Sequence, residues 1–419
     1  MKTNFFYKFF LLTSLGVLLV ANDDENYLTL EKVIELSQKS HFEQKEILED
    51  INLEELNLKK LKNSFYPEIY FEGQFGREKN LEKVENDTLG YIVWKNKLYD
   101  SNDVLNKNSF KQNKQTKDFL LKLSQNERKI KVMKTFFDTN LASLYHQYLI
   151  EQLAMDAIYH NRAKDFYPTG RVSDVEVLEK ETNMLLASAK NFDAEENIYN
   201  NKSKLANLLE IDVQKLPELK RPKLKSYFEK ELPNNNKLLE LAVKNDLNLQ
   251  QMSSKLDYLN SKIVALKNNF DVQLGSIVMY GNEPQKTLED ENNRWEARLT
   301  LKVPLYDREN NFNEIQKVQI EKNKVQISID KYKLELAQKI DEIVSKMGYL
   351  KKLDKAYKTQ FEYRNLYLEK SRVNYELDRQ SDLGDAMVQL SKAEYEYEKN
   401  SYEFVIIYET LNLIVGETI

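Results

Sequence analysis

From Trp295 to Val303 the chain alternates without a break. Trp295, Ala297, Leu299, Leu301 and Val303 point one way, and Glu296, Arg298, Thr300 and Lys302 the other. Such a period of two predicts a strand with one apolar and one wet face. Its length suits a tilted membrane-spanning strand, which needs about 9–11 residues. Taken alone, the same pattern also describes a solvent-facing strand of an ordinary antiparallel sheet. Pro304 ends the ladder, and Asp307 and Asn310 are cap-type residues opening a long charged helical pattern.

The pattern recurs along the chain. Phe9 to Val20 is an apolar run behind Lys2 and Lys8, with Ala21 at a suitable cut, so residues 1–21 read as a secretory signal peptide. Leu28 to Ser64 has helical spacing and ends at Pro67. Glu68 to Gly76 alternates with Ile69, Phe71 and Phe75 on one face, and Gly90 to Leu98 does so less cleanly with Ile92, Trp94 and Leu98. Asp100, Ser101 and Asp103 offer caps to a pattern free of Pro and Gly that runs to Phe166, a helix of roughly 90 Å. A turn at Phe166–Asp174 holds Pro168 and Gly170, and a return helix follows from Val175 to Leu209. Pro217, Pro222 and Pro233 mark a linker.

The order then repeats at an interval of about 205 residues. Glu35-Leu36 returns as Glu240-Leu241, Asn63-Ser64-Phe65 as Asn268-Asn269-Phe270, Gly76 as Gly281, and Leu98-Tyr99-Asp100 as Leu305-Tyr306-Asp307. The second half is expected to carry a strand at Asp271–Tyr280, a long helix at Asn311–Arg372 and a last helix at Ser391–Leu413. The chain therefore divides into a first repeat at 22–211, a linker at 212–235 and a second repeat at 236–419, each built as helix, strand, strand and helical hairpin.

Composition narrows the reading. Of 419 residues only ten are Gly and seven Pro, while 31% are charged, which favours long helices. The net charge of −5 gives no argument for nucleic acid. There is no Cys, the three His are scattered, and no nucleophile–base arrangement, phosphate loop or metal-ligand spacing is present, so neither an enzyme nor a cofactor is expected. Four strands cannot close a barrel, for which about eight are the observed minimum, and open edges are not tolerated in lipid. If the strands enter a membrane, more than one copy must close the sheet, with the polar residues lining a wet lumen.

These features together resemble the TolC-like outer-membrane efflux protein family over nearly the whole mature chain. The carriers are the duplicated layout, the junction Leu-Tyr-Asp at 98–100 and 305–307, and two hairpin turns. The first turn runs from Gly170 and Arg171 through Ser173 to Glu176-Val177-Leu178; the second is Asp382-Leu-Gly-Asp385-Ala386 with Leu390 and Ala393 following. The resemblance implies a mainly α fold with a small β part. A homotrimer closes a 12-stranded β-barrel in the outer membrane of a Gram-negative bacterium, continuous with a periplasmic α-helical coiled-coil tunnel. It implies an exit duct for efflux or type I secretion that docks on a periplasmic adaptor and an inner-membrane pump. It places Asp382 and Asp385 at the periplasmic gate, with Arg379 nearest them, although Asp378 departs from the family's pattern there. It suggests Gly170, Arg171, Ser173, Asp174 and Ser381 as adaptor contacts, and Trp295, Ala297, Leu299, Leu301 and Val303 face lipid. The rival reading of the same pattern is a soluble periplasmic coiled-coil adaptor, whose single helical hairpin and flanking β-rich domain fit two equivalent hairpins poorly.

Overall fold

The computed structural model describes residues 27–38, 41–79, 84–268, 272–282, 293–303, 305, 310–377 and 382–416. The signal peptide, Pro304, Asp307, Arg379 and Ser381 lie outside the described residues. The first half contains β1 (Tyr27–Leu28), α1 (Leu30–Ser37), α2 (Phe42–Asn63), β2 (Glu68–Lys79), β3 (Val84–Asp100), α3 (Ser101–Phe166) and α4 (Asp174–Leu209). The connecting stretch holds β4 (Glu218–Leu219) and α5 (Lys225–Phe228). The second half contains α6 (Asn235–Asn245), α7 (Leu247–Asn268), β5 (Gln273–Asn282), β6 (Asn293–Lys302), α8 (Asn310–Glu376) and α9 (Leu383–Val415). The fold is mainly helical with a small sheet, and apart from β1 the elements of the first half recur in the same order in the second.

Local chemistry explains where the boundaries differ from the hydrophobic pattern. The helical spacing from Leu28 to Ser64 is broken into α1 and α2. Gln38 closes α1 with its N–H on the Glu35 carbonyl, and at the start of α2 the His41 N–H donates to Gln44 Oε1 at 3.1 Å. The last helix begins at Leu383 rather than at Ser391, because Asp382 accepts the Ala386 N–H on its backbone carbonyl and starts the first turn. The stretch between the repeats is folded onto the body. β4 pairs in parallel with β1, Tyr27 with Glu218 and Leu28 with Leu219, and Leu224 is buried in the core.

β2, β3, β5 and β6 form one antiparallel sheet in that order. The register places Phe71, Ile92, Tyr280 and Trp295 in one row, and Ile69, Trp94, Val278 and Ala297 in the next. All eight share a face. Gly281 lies opposite Tyr91, and a Cβ there would meet the Gly90 carbonyl at 1.9 Å, so only glycine lets β3 and β5 close at this point.

The helices repeat this order. α3 spans 66 residues, roughly 100 Å. Its first half packs on α2 and α7, its second half on α4 and α9, and α8 packs in turn on α7 and α9. The sequence of neighbours is therefore α2, α3, α7, α8 beside the sheet and α4, α3, α9, α8 further away. Two apolar clusters lie where α1 and α6 cover these columns. One gathers Leu28, Val33, Met133, Phe136, Phe137, Leu205, Tyr402 and Val405. The other gathers Leu238, Leu336, Ile340, Met347, Phe404, Tyr408 and Leu411. Phe137 and Tyr402 stack with ring centroids 4.5 Å apart, tying α3 to α9.

Candidate functional site

The exposed surface of the sheet is the first candidate. Trp295 is 72% exposed and Leu299 68%, and Ala297, Leu301 and Val303 are exposed with them. Phe71, Ile69, Ile92, Trp94 and Tyr280 extend the same apolar face across all four strands. Burial drives folding at about 25 cal/mol per Å² of apolar surface, so an apolar face this continuous marks contact with lipid or with another chain. The opposite face carries Glu68, Glu72, Gln74, Lys95, Glu296, Arg298, Thr300 and Lys302. Val93, Ile277 and Met279 are the apolar residues there, and Val93 is only 2% exposed, lying in one row with Tyr70 and Met279.

A charged joint fastens sheet to helix. Asp100 caps α3 by accepting the Asn102 N–H on Oδ1 at 2.9 Å. The Lys97 Nζ donates to Asp100 Oδ2 and to Asp103 Oδ2, each at 2.8 Å, and Ser64 Oγ at the end of α2 donates to Asp103 Oδ2 at 2.7 Å. Partial burial pushes the Asp103 carboxyl up, and the Lys97 and Ser64 hydrogen bonds outweigh it, so its pKa lies below the usual range. Asp100 and Asp103 were legible as caps; Lys97 was not, because its reach crosses from a strand to a helix and follows neither period.

The hairpin tips are the second candidate. Tyr167–Thr169 form a single 3-10 turn, and Gly170 follows at φ +69°, donating its N–H to the Tyr167 carbonyl at 3.0 Å. The Arg171 guanidinium lies over the Phe166 ring at 5.6 Å, and its backbone N–H donates to the Phe166 carbonyl. Ser173 caps α4 by accepting the Glu176 N–H on Oγ at 3.2 Å, and Asp174 stands exposed in the first turn.

At the second tip, Asp382 is exposed and makes no side-chain cap bond, while Asp385 is half-buried in the first turn of α9. A Cβ on Gly384 would sit 2.0 Å from Met155 Sδ, so the start of α9 is pressed onto α3. Since α3 continues from Met155 to Phe166, the first tip projects roughly 16 Å past this contact. The described residues thus bring Asp382 and Asp385 to one turn, with Gly170, Arg171, Ser173 and Asp174 on the other.

Among the described residues no helix is long and apolar enough to cross a membrane, and no group of three or more His, Asp or Glu side chains is placed to hold a metal ion.

A duplicated strand hairpin mounted on two long helical hairpins defines the class of protein. No protein-family model and no curated protein sequence matches the chain. Solved structures do. The Campylobacter jejuni CmeC outer-membrane channel aligns at a TM-score of 0.74 and 13% identity, covering 93% of this chain and 86% of that one. CusC, described with the conformational changes that accompany its folding and transmembrane channel formation, aligns at 0.72 and 13%, covering 93% and 92%. The open state of the Neisseria gonorrhoeae MtrE outer-membrane channel aligns at 0.68 and 13%, covering 93% and 89%. The chain has the fold of these channels, which is the fold that the resemblance to TolC-like proteins implies.

Proposed function

We propose that this chain is the outer-membrane exit duct of a tripartite efflux or type I secretion system, a homotrimer that conducts passively and is gated at its periplasmic end. One observation carries the reading: an antiparallel sheet with a continuous exposed apolar face and two unpaired outer edges, β2 and β6, in the fold of outer-membrane channels. In lipid, backbone groups at such edges need partners, so the sheet closes on further copies of itself. Three copies place twelve strands in one barrel, an even number as in bacterial barrels of this kind.

In this reading the polar sheet face lines a water-filled lumen, and the helical columns continue it into the periplasm. Asp382 and Asp385 from three copies form an acidic ring at the narrow end, and the gate role of Arg379, which lies outside the described residues, rests on the resemblance alone. Such a ring attracts cations and holds back anions. Gly170, Arg171, Ser173 and Asp174 offer the surface on which a periplasmic adaptor would dock, with an inner-membrane pump beneath it, and the same role for Ser381, outside the described residues, rests on the resemblance alone. The soluble-adaptor alternative leaves the apolar sheet face without a partner.

Separating inner from outer membranes, and weighing the detergent-extracted protein by light scattering, tests the proposal. A trimer from the outer membrane is expected. A soluble monomer would overturn it.

A further inference from the structure

The free edges of the sheet are chemically unlike each other. On the polar face, β2 presents Glu68, Tyr70, Glu72 and Gln74, whereas β6 presents Glu296, Arg298, Thr300 and Lys302. One edge is acidic toward its helix-proximal end and the other is basic there. Glu68, Glu72, Arg298 and Lys302 are all exposed. β2 and β6 run antiparallel to one another, since each strand in the sheet reverses its neighbour. A β6 edge meeting the β2 edge of a second copy therefore continues the antiparallel ladder.

We propose that the seam between copies is set in one register, with Lys302 opposite Glu68 of the partner subunit and Arg298 opposite Glu72 of the partner subunit. The inference rests on the trimeric channel reading and specifies how its copies join. In that register Thr300 faces Tyr70 of the partner subunit and Glu296 faces Gln74 of the partner subunit. On the lipid side Leu301 meets the partner's Ile69, Leu299 the partner's Phe71, and Trp295 the partner's Phe75. Both ion pairs and all three apolar pairs form together. Opposite charges and aromatic–aliphatic pairs directly across strands are each favourable, and like charges are not.

The geometry of closure agrees. The rows already observed run from Glu68 to Lys95, Ile277 and Arg298. Crossing the seam to Glu72 of the partner subunit moves the register by about four residues per copy, which tilts the strands by about 35°, the lower end of the range for closed barrels. A slip of two residues one way lowers the tilt to about 20° and sets Glu296 against Glu72 of the partner subunit. A slip of two the other way keeps a tilt of about 46° but leaves Arg298 opposite Gln74 of the partner subunit, with no charge directly opposite its counterpart. Slips of one residue put apolar side chains in the lumen.

The chain has no Cys, so paired substitutions can report the register directly. Residues directly opposite across an antiparallel pair have Cα atoms about 4.5–5.5 Å apart, within disulfide reach. The full-length variant carrying Glu68→Cys and Lys302→Cys, oxidised in outer membranes, should run as covalent dimers and trimers on non-reducing gels. The slipped pair Tyr70→Cys with Lys302→Cys should remain largely uncrosslinked. Preferential crosslinking of the slipped pair overturns the register. So does absence of both crosslinks in a protein that still weighs as a trimer. A monomer by mass instead removes the channel reading itself, and the seam with it. As a second readout, Glu68→Lys should lower the temperature at which the trimer dissociates on gels, and adding Lys302→Glu should restore it. No restoration counts against the pair.

Discussion

At the scale of single residues, two half-buried carboxyls respond oppositely to pH. Asp103 is held below the usual carboxylate range because its hydrogen bonds from Lys97 and Ser64 outweigh partial burial. Its folded pKa is lower than its unfolded one, so its contribution is fully present above the unfolded value of about 4 and is lost as pH falls through the folded value. Asp103→Asn should cost about 1–2 kcal/mol at pH 7, since a charge-assisted pair is lost. The difference between wild type and variant should shrink in urea titrations run at progressively lower pH.

Glu398 on α9 is the reverse case. Burial pushes its carboxyl up, against the pull of Arg221 and with the help of nearby Glu394. The folded state then holds the proton more tightly than the unfolded one, so this group adds stability as pH falls through its folded pKa toward about 4.3. Glu398→Gln should raise the melting temperature at pH 7, and its advantage should fade as the pH falls toward the unfolded value of about 4.3. An advantage that grows on acidification would contradict the assignment. Phe137→Ala removes a ring stacked on Tyr402 in the α3–α9 core and should cost about 3–5 kcal/mol.

At the scale of elements, the strand β6 gives the sharpest test of what the sheet touches. Leu299 is exposed at mid-strand on the apolar face. Leu299→Arg should destabilise the assembled barrel by about 2–4 kcal/mol if that face meets lipid, measured by reversible unfolding in bilayers, while a water-facing strand would tolerate it. Gly170→Ala should cost roughly 1 kcal/mol through its left-handed φ of +69° alone, because a Cβ there meets no atom within 4 Å.

Elements with strong periods were legible in the sequence. The strict alternation of Trp295–Val303 falls on β6, the Pro- and Gly-free run falls on α3, and the turn Pro168–Gly170 is a turn. What the pattern did not carry was set by contacts between distant or local polar groups. The break between α1 and α2 depends on a backbone hydrogen bond to Gln44, the Lys97 joint spans two element types, and β1 finds its partner near residue 218. The tip residues Asp382 and Asp385 were visible only through their motif. Nothing in their local spacing distinguishes a gate from an ordinary first helical turn.

At the scale of the whole molecule, the helices have the same unfinished edges as the sheet. The columns end on α4 and α2 at one side and on α8 at the other. On α4, Leu178, Leu185, Phe192 and Tyr199 are all exposed, and they recur every seventh residue. On α8, Ile320, Ile327 and Leu334 recur at the same spacing, and Leu366 and Val373 repeat it nearer the tip. A seven-residue apolar repeat is the signature of a left-handed helix–helix seam, with each side chain entering a hole on a facing helix. Among the described residues α4 and α8 have no such neighbour on these faces within one copy, whereas in the proposed trimer a second copy would bring α8 beside α4 and complete both. The sheet seam and the helix seam would then form on the same side of the protomer, so assembly joins barrel and tunnel in one step. Leu185→Asp combined with Leu366→Asp tests this. Both side chains are exposed in the single copy, so helix content by circular dichroism should barely change, because exposed substitutions usually alter stability by no more than about 0.5 kcal/mol. The light-scattering mass should fall from trimer toward monomer. A trimer of unchanged heat resistance would place the contact between copies on other helical faces.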